Sequence, residues 1–323
     1  MRNMKTVLKS TLFLVAFLVA DLQLKAGYPD EVKPVSIKSS KDGSSQPALF
    51  FTPETAAPVP LLVALHTWSS DWKNQYNVPL AKGCIKRQWA FIHPDFRGPN
   101  KNPAACGSDL AVSDIVDAVA WAKRNARIDP GRIYLAGASG GGHMALLMAG
   151  KAPEIWAGVS AWVPITDCAA WHRQCLEAGR RYYADLEKSC GGKPGESDEI
   201  DEQYRMRSPV TWLKAAANVP LDINAGIHDG HRGSVPISHS LEAFNILAKK
   251  EDQISAPHIR HFTSESTVPG ALLHPVRHDA SYGEKRQPLW RAKSNRARIT
   301  IFNGGHEMIP AAIFAWLSSK KKN

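Results

Sequence analysis

Asp129-Pro-Gly-Arg-Ile-Tyr-Leu-Ala-Gly-Ala-Ser-Gly-Gly-Gly-His143 is the stretch whose reading decides the fold. Arg132–Ala136 is a short run of strand formers, and His143–Ala149 begins a helix-like apolar run. Between them Gly137-Ala138-Ser139-Gly140-Gly141 has the G-x-S-x-G pattern of a nucleophile elbow. That turn is too sharp for side chains at its flanks, and it lifts the serine hydroxyl above the end of the strand. Glycine and serine are common in ordinary loops, so the pattern alone says little. Its position between a strand and a helix supplies the context that the motif requires.

Outward from the elbow, strand-like and helix-like runs alternate. Gln46–Phe51, Pro60–Leu65 and Trp89–His93 read as strands, the last two as nearly continuous apolar runs suited to central strands covered on both faces. Val112, Ile115, Val116 and Val119 fall at helical spacing within 107–126. Met144–Met148 is apolar all round, which predicts a helix packed deep against the sheet. Trp156–Trp162, Leu221–Ala225 and Arg298–Phe302 are the later strands. A final helix carries Ile309, Ile313, Trp316 and Leu317 on one face, with Pro310 tolerated in its first turn. Such alternation predicts an α/β fold with a doubly wound, mostly parallel sheet. Two stretches interrupt it. Residues 166–212, rich in charge and aromatics, suit a helical cap insertion; residues 251–297 show little periodicity and read as a long functional loop. Either is expected to wall the site.

A serine hydroxyl needs a base to attack at neutral pH, and the base needs an orienting acid. In an elbow-bearing sheet the chain order is serine, acid, histidine. Asp229 follows the strand-like Leu221–Ala225, and His306 follows Arg298–Phe302 through Gly304 and Gly305. Ser139, Asp229 and His306 are therefore the candidate nucleophile, acid and base, with Asp167 the competing acid. His274 and His278 lie before the last strand, His228 and His231 read as loop decoration, and His143 belongs to the helix after the elbow. His306 must be neutral to act, so activity is expected to rise through the histidine range, roughly 6–7. An oxyanion needs two preorganised N–H donors. The Gly140 amide is one, and the loop His66-Thr67-Trp68 offers the Trp68 amide as the second. Trp68 and Trp72 are also candidates for lining the substrate subsite, with simple packing as the rival account.

The 323 residues suit one large domain, and an apolar content of 44% with 22% charged residues reads as globular. Arg2, Lys5 and Lys9 precede the apolar run Thr11–Ala20, and Leu24-Lys25-Ala26 offers a cleavage site, the layout of a secretory signal over 1–26. Ten apolar residues are about half of what a membrane span needs. The expected mature chain, 27–323, is secreted or periplasmic and has no stable membrane insertion. Its net charge falls from +10 to +7 on losing Arg2, Lys5, Lys9, Lys25 and Asp21. No compact basic cluster marks a nucleic-acid groove, and Lys320-Lys321-Lys322 reads as a solvated tail.

Cys84, Cys106, Cys168, Cys175 and Cys190 all lie in the mature part, where export permits oxidation. Five cannot all pair. Cys175–Cys190 is the favoured bridge, closing a loop worth roughly 3 kcal/mol of chain entropy, and Cys84–Cys106 is a second candidate. No zinc-type ligand spacing is present, and the chemistry needs neither metal nor organic cofactor.

Taken together these residues resemble the α/β-hydrolase superfamily, in its prolyl oligopeptidase-like and dienelactone-hydrolase-like branch. The likeness rests on Asp129–His143, on His93-Pro-Asp-Phe-Arg-Gly98 and on Gly304-Gly-His306, and it extends over roughly 45–319. It implies a Ser139–Asp229–His306 triad. Thr67 departs from the glycine usual in the oxyanion loop. The length leaves no room for the propeller that gates prolyl oligopeptidases. The resemblance therefore implies a serine carboxylesterase, acting on small-molecule or polysaccharide esters such as carbohydrate-linked acetyl or feruloyl groups. A peptidase on short peptides and a catalytically silent binding protein are the alternatives.

Overall fold

The computed structural model describes residues 27–322; the leader expected over 1–26 lies outside them. Nine strands form a single sheet in the order β1-β2-β4-β3-β5-β6-β7-β9-β8. They are β1 Lys33–Lys38, β2 Ser45–Phe51, β3 Val59–Leu65, β4 Ala90–Pro94, β5 Ile128–Ala138, β6 Gly158–Trp162, β7 Leu221–Gly226, β8 Pro288–Ser294 and β9 Ala297–Phe302. The central pairings, from β4 through β3, β5, β6 and β7 to β9, are parallel. The outer pairings of β1, β2 and β8 are antiparallel.

The central strands are buried on both faces because helices cover both. Along β3, Leu61, Val63 and Leu65 face one apolar layer, and Leu62 and Ala64 face the other, as the two-residue period of a strand requires. The first layer is covered by α2 (Asp109–Asn125), α3 (Gly140–Lys151), α8 (Ser238–Leu247) and α9 (Ala256–Glu265). The second is covered by α1 (Val78–Arg87) and α10 (Pro310–Leu317). Helix α3 is buried at every position from Gly140 to Gly150, which explains why its sequence has no polar face. Each large side chain sealed in this way contributes about 1.5–3 kcal/mol relative to exposure.

Between β6 and β7 the chain forms α4 (Cys168–Glu177), α5 (Tyr182–Cys190), α6 (Asp198–Arg207) and the short α7 (Pro209–Trp212), with a third apolar cluster among them. The stretch 251–297 is not one open loop: it holds the end of one short 3-10 turn, α9, three further 3-10 turns and the edge strand β8. Nor is the C-terminal lysine run a free tail. Tyr134 Oη donates to the Lys320 carbonyl at 2.6 Å, and the Lys322 amide donates to the Gly131 carbonyl at 2.9 Å.

The cysteine pairings expected from sequence are not formed, and all five thiols are free and buried. Cys84 packs in the layer under α1 and α10, whereas Cys106 packs with the cap helices, so the two lie in different apolar clusters. Cys175 and Cys190 share the cap cluster, but the thiols crowded there are Cys106 against Cys168, with Cys190 beside them.

Candidate active site

The elbow has the geometry that its glycines announce. Ser139 adopts φ 57° and ψ −119°, a conformation rarely taken by a side-chain-bearing residue, between the end of β5 and the start of α3. Its amide donates to the Trp162 carbonyl of β6 at 2.9 Å, and its carbonyl accepts the first helical bond from His143 N at 2.8 Å. These bonds fix the turn and leave the hydroxyl facing a cavity of about 270 Å³. Thr67, Trp68, Tyr76, Tyr182, Ser234 and His306 line it together with Ser139.

Asp229 and His306 meet because their loops are laced together. Ile227 N donates to Phe302 O at 2.9 Å, and His228 N to Gly304 O at 3.0 Å, which carries the parallel pairing of β7 and β9 into the turns beyond them. His306 Nδ1 lies 2.9 and 3.0 Å from the two carboxylate oxygens of Asp229. With a carboxylate on that side the ring carries its proton on Nδ1 and donates it, which leaves Nε2 as the acceptor. Asp229 is 2% exposed. Burial pushes its carboxyl above the usual range, while the bonds from His306 and from Gly230 N oppose that rise. His306 Nε2 points to Ser234 Oγ at 3.5 Å and shares the cavity with Ser139.

Asp167, the competing acid, instead caps α4, its carboxylate accepting from Ala170 N at 2.9 Å. The other histidines are engaged elsewhere. His231 Nε2 meets Thr263 O, His274 Nδ1 meets Leu272 O and His278 lies near Glu284. His143 is wholly buried with Nε2 2.7 Å from Arg207 O.

Gly140 explains the oxyanion loop. A Cβ at this position would stand 2.5 Å from both N and Cα of Trp68. The two backbones therefore touch, and the Trp68 amide comes beside that of Gly140 at the N-terminus of α3. Neither amide donates to a backbone carbonyl among the described residues. This is the arrangement of two free donors that a developing oxyanion needs, reinforced by the helix dipole. Thr67 does not disturb the loop, because His66 and Asn100 hold it. The His66 ring stacks on Phe96 at 3.8 Å, and its two nitrogens face the carbonyls of Thr67 and Asp95. Burial pushes the pKa of this imidazole down, and the bonds to the two carbonyls oppose that shift. Asn100 N donates to the Trp68 carbonyl at 2.9 Å. Gly140→Ala is expected to lower kcat roughly 10²–10³-fold, the cost of losing one oxyanion donor; turnover within two-fold of wild type would contradict this placement.

The two tryptophans separate. The Trp68 ring is buried in edge contact with Trp171 at 4.7 Å, and Trp171 stacks on Tyr182, so an aromatic series links the oxyanion loop to the cap. Trp72 does not line the cavity. Its amide donates to Asp95 Oδ1 at 3.2 Å, and its ring packs against the layer under α10, which corrects its expected role in a subsite. Tyr76, Tyr182 and Ser234 reach the cavity without a sequence signal of their own.

Buried imidazoles set an acid limit on stability, and burial lowers the pKa of His66 and His93 as well as those of His143 and His239. Burial holds His143 and His239 down to about 4. Unfolded, each binds its proton near 6.5, so between those values the unfolded chain takes up more protons and stability falls as pH falls. Each is expected to remove on the order of 2–3 kcal/mol between pH 7 and 4. Urea midpoints should drop over that range, and less so in a His143→Gln/His239→Gln variant. Midpoints independent of pH, or an undiminished drop in the variant, would show that these groups do not set the limit.

The fold is that of the α/β-hydrolases, and the elbow serine, the imidazole and its carboxylate stand where that fold places a nucleophile, a base and an acid. Residues 108–264 match the prolyl oligopeptidase family model. That segment, similar to the prolyl oligopeptidase family, runs from the start of α2 into α9 and includes Ser139 and Asp229. Among solved structures, puromycin hydrolase is similar at 16% identity and a TM-score of 0.59, over 89% of this chain and 38% of that one. Pyrococcus horikoshii acylaminoacyl peptidase gives 16% and 0.54, over 70% of this chain and 36% of that one. Prolyl oligopeptidase B from Galerina marginata gives 18% and 0.54, over 68% and 32%. The chain thus spans about a third of the length of these structures, and at such identities the likeness is one of fold.

Proposed function

We propose that this chain is a serine peptidase acting on short, N-blocked peptides or other small acyl amides. Ser139 attacks the carbonyl, and His306 takes its proton and returns it to the leaving amine. Asp229 holds the imidazole tautomer, and the Gly140 and Trp68 amides receive the oxyanion. The observation that carries the reading is His306, held by Asp229, sharing one small cavity with the elbow serine, in a chain whose segment 108–264 matches the prolyl oligopeptidase family. The preference for a blocked terminus comes from the cavity lining, which among the described residues includes no carboxylate to hold a substrate ammonium. That same uncharged lining supports the carboxylesterase reading as second.

The test compares acetyl-alanine p-nitroanilide, its free-amine counterpart and p-nitrophenyl acetate on one preparation. We expect the blocked anilide to be cleaved at least ten-fold faster than the free amine, with the activated ester also turned over. An enzyme that cleaves esters while ignoring every peptide anilide would reinstate the esterase. Export through a leader over 1–26 remains part of the proposal. It predicts a mature N-terminus near Gly27, readable by N-terminal sequencing.

A further inference from the structure

The hydroxyl that stands against the imidazole is that of a second serine in the cavity. Ser234 Oγ lies 3.5 Å from His306 Nε2 and lines the same cavity. Its loop is built to present it there. A Cβ at Gly233 would collide with Asp229 Oδ1 and His306 Cβ, so the chain wraps directly over the pair. The cap holds that loop from above. Trp171 Nε1 donates to the Ser234 carbonyl at 2.9 Å, and Arg180 donates to the carbonyls of Gly230 and Gly233. Three donors from α4 and the turn after it thus fix the backbone on either side of a hydroxyl whose own contact is the catalytic imidazole.

We propose that Ser234 is a second catalytic hydroxyl, which rests against His306 Nε2 in the free enzyme and holds the hydrolytic water there during deacylation. The inference rests on the serine-hydrolase reading above. With the acyl group on Ser139, the Ser234 oxygen accepts one O–H of a water whose other proton faces Nε2. The water oxygen bonds to the acyl carbon as that proton passes to His306. The intermediate then collapses, the bond to Ser139 Oγ breaks and His306 returns the proton to it. The acid product leaves, and no co-reactant beyond water is needed. Attack by Ser139 in the first half-reaction does not require this water, so the two halves should respond differently to loss of the hydroxyl.

Stopped-flow hydrolysis of p-nitrophenyl acetate separates them. In Ser234→Ala we expect a burst of about one p-nitrophenolate per chain at a rate within two-fold of wild type. The steady-state rate should then be about ten-fold lower, with the acetylated chain visible by intact mass. Ser234→Thr should recover most of the steady-state rate. Equal slowing of both phases would reduce Ser234 to loop packing, and two unchanged phases would remove it from the reaction; either overturns this inference alone. Turnover that survives in Ser139→Ala, or a wild-type chain inert to the ester, would overturn the underlying reading and this inference with it.

Discussion

Ser139→Ala is expected to abolish turnover of every substrate, with kcat falling by at least about 10⁴-fold and the fold intact. The side chain lost is small, and the backbone that presents it is held by neighbours. Ser139 N bonds Trp162 O, His143 N bonds Ser139 O, and α3 is buried from its first turn. Alanine at φ 57° is no more strained than serine, so thermal stability should move by no more than a few degrees. The residual rate would come from the Gly140 and Trp68 amides acting on water attack without a covalent intermediate. Activity assays beside thermal melts would check this. A variant that melts normally and retains more than a few per cent of wild-type kcat would remove Ser139 from the mechanism.

Asp229→Asn is the second large effect. The two oxygens facing His306 Nδ1 at 2.9 and 3.0 Å are acceptors, and they hold the ring proton on that nitrogen. An asparagine amide turned toward the ring would oppose its N–H donors to Nδ1. The proton would move to Nε2, the atom that must accept from Ser139. Wrong-tautomer variants of such triads lose roughly 10⁴ in kcat. Stability should respond in the opposite sense. Asp229 is buried and its pKa is raised, so neutralising it removes a desolvated charge. An unchanged or higher melting temperature with kcat near 10⁻⁴ of wild type is the expected outcome. Near-normal kcat would return attention to Asp167 or to a mechanism without an orienting acid.

Much of this architecture is legible in the chain because its signals are local. The apolar runs at 60–65 and 89–93 announce strands covered on both faces, and the all-apolar α3 announces a buried helix. The edge strands are a different matter. β1 has one buried residue, Ile37, among exposed lysines, and β8 alternates between layer and solvent, so neither forms an apolar run. Helix α9 and the 3-10 turns of 251–297 are equally quiet in sequence, since most of their side chains face water.

The site divides along the same line. The elbow and the loops after β7 and β9 follow from topology, which is why Ser139, Asp229 and His306 could be named from chain order. What the cap contributes depends on how its helices pack. Nothing in 166–212 distinguishes Tyr182, which reaches the cavity, from Tyr183, which does not line it. Cysteine pairing fails for a related reason. Loop closure favours Cys175 with Cys190, but packing sets Cys106 against Cys168. Ser234 is the instructive case, because a Gly-Ser pair five residues beyond the acid reads as loop until Gly233 is seen to cross over His306.

Labelling with a fluorophosphonate, followed by peptide mapping of the adduct, tests the central claim most directly. One phosphonyl group per chain on the peptide containing Ser139, lost in Ser139→Ala and strongly slowed in Asp229→Asn, is the predicted result. An adduct on Ser234 in the wild-type protein, or no adduct at all under conditions that label other serine hydrolases, would contradict it.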